Sequence, residues 1–357
     1  MKRGLTGWLA CLLGMAAAAA TAAEHGVILM YHHVDEATPA STSVTPAQFR
    51  RHLDYIEDNG FVVVPLPELL AGVYGGGDVV DNAVAITFDD AYESVYLEAL
   101  PELKSRNMPF TVFVATAAVD QNHDTSLSWE QLRQIAASGI ATFGAHSVTH
   151  EHLLRGSEHG VTSAWTARVS AEIDDSVERL EKQLPGVAIH SFAYPFGEYS
   201  SALQDLLASR GLYGLAQRSG ALGPLTPPTA IPRFPMATGY DSTERLATAL
   251  NARPLPVEPV AAGDALLAEG SALPGTLRFR LAADGPYRRN ALACYSIGGE
   301  TLKVDQAADE FTVAVPRLRA GRNKINCTAP SAARQGEFFW YSHQWILADE
   351  EGVWLNY

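Results

Sequence analysis

The chain has 357 residues, of which 47% are hydrophobic and 18% charged, and a formal charge of −14. This composition excludes a disordered chain, and the length allows two domains. The acidic balance argues against nucleic acid or an anionic membrane as partner and suits a neutral or cationic one.

Residues 1–23 open with Lys2 and Arg3, run almost wholly apolar from Leu5 to Ala20, and end in Thr21-Ala22-Ala23. That is the pattern of a secretory signal peptide, with an apolar run too short for a stable membrane span. Export to the periplasm or the extracellular medium is expected. Cleavage near Ala23 removes Lys2 and Arg3, which moves the charge from −14 to −16. Cys11 leaves with the segment, so Cys294 and Cys327 remain. An even count in an exported chain reads as one disulfide, and two buried thiols are the alternative.

Over residues 24–250, apolar runs alternate with amphipathic stretches. The runs are Val27–Tyr31, Phe61–Val64, Ala83–Phe88, Phe110–Ala115, Ile140–Ala145, His190–Tyr194 and Leu212–Ala216, with Ile231–Phe234 as a candidate eighth. Between them lie the helix-like segments Pro46–Asn59, Tyr92–Arg106, Trp129–Ala137, Ala164–Leu184 and Ser200–Ser209. This alternation predicts an α/β fold with a parallel sheet covered by helices, and seven or eight units favour a distorted (β/α) barrel. Residues 251–263 contain Arg253-Pro254-Leu255-Pro256-Val257-Glu258-Pro259, which reads as an extended linker because repeated prolines exclude helix and sheet. Residues 264–357 then switch to period two, as in Leu277–Leu281 and Phe311–Val315, and predict a small β-sandwich with Cys294 and Cys327 each on a strand. Trp340, Tyr341, Trp345 and Trp354 read as core more readily than as a sugar platform, although carbohydrate binding by this domain stays open.

Catalytic groups of a β/α barrel gather at the C-terminal ends of its strands. Here Tyr31-His32-His33, Thr87-Phe88-Asp89-Asp90, His146-Ser147-Val148-Thr149-His150 and Tyr194-Pro195-Phe196-Gly197 all follow apolar strands. Singly, each is weak: one His-x-x-x-His among eleven histidines arises by chance, and adjacent aspartates after a strand commonly cap a helix. Together they carry more. One carboxylate and two imidazoles make a three-ligand site with an open fourth position, and a second carboxylate beside it is placed to take a proton from water there. Mixed nitrogen and oxygen ligation suits one divalent ion, zinc first, with cobalt, nickel and iron as alternatives.

These residues resemble the NodB-homology polysaccharide deacetylases, carbohydrate esterase family 4. Thr87–Asp90 looks like that family's first motif, His146–His150 like the second, and Phe192–Gly197 like a variant of the third. The resemblance covers roughly residues 26–250. It implies Asp90, His146 and His150 as metal ligands, Asp89 as catalytic base and the Phe196 backbone N–H as oxyanion donor. Tyr194 and Pro195, with Trp129 at a helix start, are the candidates for substrate contact. Two departures stand out. The third motif of the family begins with an arginine that orients the base, whereas Phe192 or Ala193 stands here, and Arg233 is the candidate replacement. The family's late acid histidine is also missing, since no histidine lies between His190 and His343. Met30-Tyr31-His32 at the first strand end instead resembles the permuted branch that deacetylates poly-N-acetylglucosamine in biofilm matrices. This makes His32 the candidate acid and His33 its less favoured neighbour. His152 lies close to the second motif, while His25, His52, His123, His159, His190 and His343 read as surface or structural residues.

The expected function is metal-dependent N-deacetylation of an N-acetylated amino-sugar polysaccharide resembling poly-N-acetylglucosamine. The same groups could act on peptidoglycan or chitin oligomers. A glycan-binding protein without turnover is the reading of another class, supported by the two departures and opposed by the complete set of aspartates and histidines.

Overall fold

In the computed structural model, which describes residues 24–347 other than 158, 262 and 268–270, the apolar runs between residues 24 and 250 form one parallel sheet. The neighbours run Phe234–Pro235, Val27–Tyr31, Ala83–Phe88, Phe110–Val114, Ala141–Ala145, Ser191–Ala193 and Tyr213–Leu215, with Val62–Val63 beside the start of the Ala83 strand. Leu215 bridges in parallel to Ile231, three residues before the Phe234 strand that pairs with Leu29. The last strand therefore touches both the seventh run and the first, and the sheet closes into a narrow barrel.

Side chains alternate across this wall. Leu29, Tyr31, Ile86, Phe88, Val112, Val114 and Phe192 belong to the core under the helices, while Ile28, Ala85, Phe113, Ala193, Leu215 and Ile231 share a second core inside the barrel. The same alternation carries Thr87 and Asp89 inward after Ala85, and Arg233 inward after Ile231. Polar groups at the mouth of the barrel thus continue its apolar filling.

Local chemistry sets the helix starts. Thr45 caps Pro46–Asp58, Ser128 and Gln131 form a capping box on Trp129–Ala137, and Thr162 caps the 21-residue helix Ser163–Gln183. The stretch expected as a helix over Tyr92–Arg106 is a wider π turn at Val95–Ala99 followed by Leu100–Ser105; Pro101 lacks the N–H that would have continued α-helical bonding. Helices at Leu66–Gly75 and Thr243–Leu250 complete the wrap. None of the helices among the described residues is long and apolar enough to cross a membrane. The proposed signal segment and Trp354 lie outside the described residues.

Residues 251–263 are not a free linker. Ala252–Pro254 adds in parallel to Phe338–Trp340, and Glu258–Ala261 pairs antiparallel with Thr276–Arg280. Both are edge strands, where a proline's missing donor faces no partner, so the prolines did not exclude sheet. The C-terminal domain packs a six-stranded sheet on a four-stranded one. Cys294 and Cys327 face each other on adjacent antiparallel strands and are disulfide-bonded, with Cα atoms 4.0 Å apart.

The long hairpin Gly321–Pro330 and Phe338–Leu347 has both faces covered. Ile325, Cys327, Ala329, Phe339 and Trp345 fill the sandwich core. The other face lies on the barrel, where Trp340 meets Phe234 edge-on at 5.3 Å and Ile346 joins the barrel's own core.

Candidate active site

Two strand ends bring three side chains to one point. Asp90 follows the Ala83–Phe88 strand, and His146 follows Ala141–Ala145, its N–H bonded to Val114 O at 3.0 Å. His150 closes the loop that follows. Asp90 Oδ1 lies 3.2 Å from both His146 Nε2 and His150 Nε2. His146 Nδ1 donates to Ala193 O at 2.7 Å, so Nε2 presents a lone pair to the carboxylate oxygen. Both of those atoms are buried and lack a hydrogen-bond partner. Two acceptors facing each other call for a cation between them, and one ligand atom from each of the three residues lies within 4.8 Å of the others. The donor set fits a divalent metal ion.

Asp89 points the other way, into the barrel. Arg233 grips it with two parallel bonds, Nη1 to Oδ1 and Nη2 to Oδ2, each 2.7 Å, and both side chains are fully buried. Nη1 also reaches Thr87 Oγ1, Nε donates to Ala216 O, and the guanidinium lies 5.4 Å over the Phe113 ring. Phe113 has room to lie there because residue 144 is glycine: a Cβ on Gly144 would stand 2.2 Å from its ring. Burial pushes the Asp89 carboxyl up, and the Arg233 charge and hydrogen bonds outweigh it, so Asp89 is held below the ordinary carboxylate range.

Loops near the candidate metal triad are fixed by side chains remote in sequence. Glu172, on the long helix, accepts from the N–H groups of Val148 and Thr149 at 2.9 Å and from the Thr149 hydroxyl, and Ser147 Oγ accepts from the His150 N–H. Phe196 sits with φ 56° and ψ 7° in the left-handed region. The next residue, with φ 67°, must be glycine, since a Cβ there would meet Gln217 at 2.4 Å. Asp90, Ala91, Ser147, His150 and Phe196 are five of the nine non-glycine residues with positive φ among the described residues, so strained backbone concentrates at this rim. The Phe196 ring stacks on His152 at 3.9 Å and meets His150 at 4.7 Å, and His152 Nδ1 donates to the buried Glu198 at 2.9 Å. A depression of about 660 Å³ opens beside His150 and Phe196 and is lined also by Glu151, Arg155 and Arg168.

The sequence profile of polysaccharide deacetylases matches residues 76–215. The barrel is a polysaccharide deacetylase domain of the NodB type. A poly-beta-1,6-N-acetyl-D-glucosamine N-deacetylase of Staphylococcus aureus (strain MRSA252) is 25% identical over 196 residues, covering 54% of this chain and 67% of that protein. YxkH of Bacillus subtilis (strain 168) is 27% identical over 173 residues, covering 48% of this chain, and the match spans little more than half, 57%, of YxkH. Two solved structures share the fold. The Streptococcus pyogenes deacetylase PplD superposes with a TM-score of 0.57 at 24% identity, over 64% of this chain and 99% of its own. IcaB from Ammonifex degensii gives 0.56 at 23% identity, over 64% and 98%.

Within this deacetylase domain, the residues singled out from sequence fall into three groups. Asp89, Asp90, His146, His150 and Arg233 come together as described. His32 stands beside Asp89, because the Asp89 N–H continues the sheet onto Tyr31 O at 2.9 Å. His33 is buried and stacks on Tyr92 at 3.5 Å, and Tyr92, whose phenol is raised by burial and by the adjacent Asp90, went unread in the sequence. Tyr194 and Pro195, expected at the substrate, are instead buried; the Tyr194 hydroxyl donates to Thr229 O, so this aromatic anchors the wall from outside. Trp129 is engaged by Asp120, which accepts from its indole N–H, and by Arg179 over its ring. His52 is structural: its Nε2 donates to Asp241 O and its Nδ1 accepts from Tyr31.

Proposed function

We propose that the protein removes acetyl groups from N-acetylated amino sugars in a polysaccharide, with a poly-N-acetylglucosamine-like chain as substrate. The observation that carries this reading is the pairing of two carboxylates with opposite duties. Asp90 faces His146 and His150 as a ligand, while its neighbour Asp89 is kept ionised by Arg233 one residue away. A divalent ion held by Asp90, His146 and His150, zinc being the first choice for such donors, supplies Lewis acidity toward the acetyl carbonyl and an attacking water.

The chain's own residues supply the proton transfers and the geometry. Asp89 accepts the proton of the attacking water, and the Arg233 fork holds the carboxylate ionised and oriented for it. The Phe196 N–H, which is not a donor among the described hydrogen bonds of its turn, faces the developing oxyanion. His32 delivers a proton to the leaving nitrogen, since expelling an amide anion is too costly. Arg233 thus does from the last barrel strand what the third motif leaves undone, which favours an active enzyme over a glycan-binding protein. The Staphylococcus aureus relative, named for deacetylation of a poly-N-acetylglucosamine, supports the choice of substrate. With cleavage after residue 23, we place the activity outside the cytoplasm.

The test is acetate release from N-acetylglucosamine oligomers by residues 24–357, with chelator and with zinc, cobalt or nickel restored. Metal-dependent release that vanishes in His146→Ala carries the proposal. No release with any metal, from folded protein that still binds the oligomers, overturns it in favour of glycan binding.

A further inference from the structure

The Phe196–Gly197 turn is held by the other domain. Arg322 Nη1 donates to Phe196 O at 2.6 Å and to the Gln217 side chain at 3.1 Å, and Gln344 Nε2 donates to Gly197 O at 2.8 Å. Both residues sit on the barrel-facing side of the long hairpin. Arg322, Lys324 and Asn326 alternate along one strand and Trp340, Ser342 and Gln344 along its partner. Lys324 and Ser342 aim at barrel carbonyls too, but at Gln217 O and Ser219 O and not at those of the turn itself. Gln344 is fully buried, so its donor has no water to fall back on.

We infer that Arg322 and Gln344 are positioning residues of the active site, and that the C-terminal sheet is a working part of the catalytic centre. The physical reason lies in the left-handed Phe196. That conformation strains a non-glycine residue, and it persists only if its surroundings over-determine it. Pinning the carbonyl oxygens of Phe196 and Gly197 fixes the two peptide planes that follow the Phe196 N–H. Neither plane can then rotate to let φ return to ordinary values, and the N–H keeps its aim. On the other side the ring is clamped between His150 and His152. Without the two donors, the ring contact stays but the backbone is free to turn. The inference rests on the deacetylase reading for its kinetic consequence, but the pinning of the turn stands apart from it.

The experiment compares Arg322→Ala, Arg322→Lys, Gln344→Met and Ser342→Ala in the full mature chain. Losing an oxyanion donor altogether lowers kcat by roughly 10²–10³-fold, so a misdirected one is expected to lower it about 10- to 100-fold in Arg322→Ala with KM changed less than about threefold. Gln344→Met should show the same split, Arg322→Lys should recover part of the loss, and Ser342→Ala, which loosens the interface away from the turn, should keep kcat. Amide exchange over residues 194–198 is read in parallel and should quicken in Arg322→Ala and Gln344→Met only. Unchanged kcat and unchanged exchange in both overturn the inference. So does a fall in kcat that Ser342→Ala shares in proportion to lost thermal stability. Should the parent release no acetate from any amino-sugar chain, the functional reading fails instead, and the exchange measurement alone decides whether the turn is pinned. Should Arg322→Ala not fold, Gln344→Met and Arg322→Lys carry the test.

Discussion

Asp90, His146 and His150 are placed by the strand ends that carry them and steadied by Glu172 from a helix of the same domain. The Phe196–Gly197 turn, across the same rim, depends on Arg322 and Gln344 from beyond residue 320. One half of the site is thus built by the barrel alone, as rim loops of such barrels usually are. The other half is completed only when a second domain docks. The difference teaches that a metal site and a catalytic site need not share a boundary: the first can be whole where the second is unfinished.

That contrast can be broken from either side. The largest effect should come from Asp89→Asn, which keeps the triad but removes the proposed base. Turnover should fall about 10³-fold while metal content by elemental analysis and exchange over residues 194–198 stay as in the parent. Because Arg233 is then buried with a neutral partner, circular dichroism must first show the variant folded. Next comes the disulfide, which closes a separation of 33 residues within the sheet that carries Arg322. Chain-entropy arithmetic gives about 4 kcal/mol for such a loop, so Cys294→Ala/Cys327→Ala should melt earlier and lose turnover before it loses metal. Loss of metal first would erase the contrast. Glu172→Ala acts on the triad half only. The residue fixes the loop between two ligands, and metal affinity, measured by competition with a chelator, should weaken about 10- to 100-fold with the Phe196 turn unaffected.

The smallest effect sharpens the view of the interface itself. His25 of the barrel contacts Arg253, and burial, helped by Arg253 and Arg334 and opposed by Glu337 and Asp81, lowers its imidazolium to about 4. The unfolded chain takes up this proton near pH 6.5, so the contribution is complete above that value and is lost as the pH falls toward 4. Urea unfolding of the parent at pH 7 and 4.5 should differ from that of His25→Gln by on the order of 1 kcal/mol, a modest value because the residue is partly exposed.

The succession of strands, the rim position of the motifs and the convergence of Asp90, His146 and His150 were legible because each is written locally, as an apolar run followed by polar residues. Arg233 could be nominated because a missing charge had to be replaced, but its fork on Asp89 depends on the closure of the ring, which no local pattern shows. Glu172, Glu198, Arg322 and Gln344 carried no signal at all: each is an ordinary polar residue on an amphipathic helix, a loop or an alternating strand until tertiary packing aims it. Tyr194 and Pro195 were named as substrate contacts for their place in the third motif, whereas alternation puts that tyrosine on the helix side of the wall. The prolines of residues 251–263 misled because they bar the middle of a sheet and not its edge.

Closure of the barrel has one more consequence. A ring has no first or last member, so the order of residues around the mouth is indifferent to the order in which they were synthesised. His32 arrives on the opening strand and Arg233 on the closing one, about two hundred positions apart, yet both border Asp89. The stretch matched by the family profile, residues 76–215, includes neither. Excised along that outline, the protein would keep every candidate metal ligand while leaving Asp89 as an unpaired acid at the seam of an open sheet.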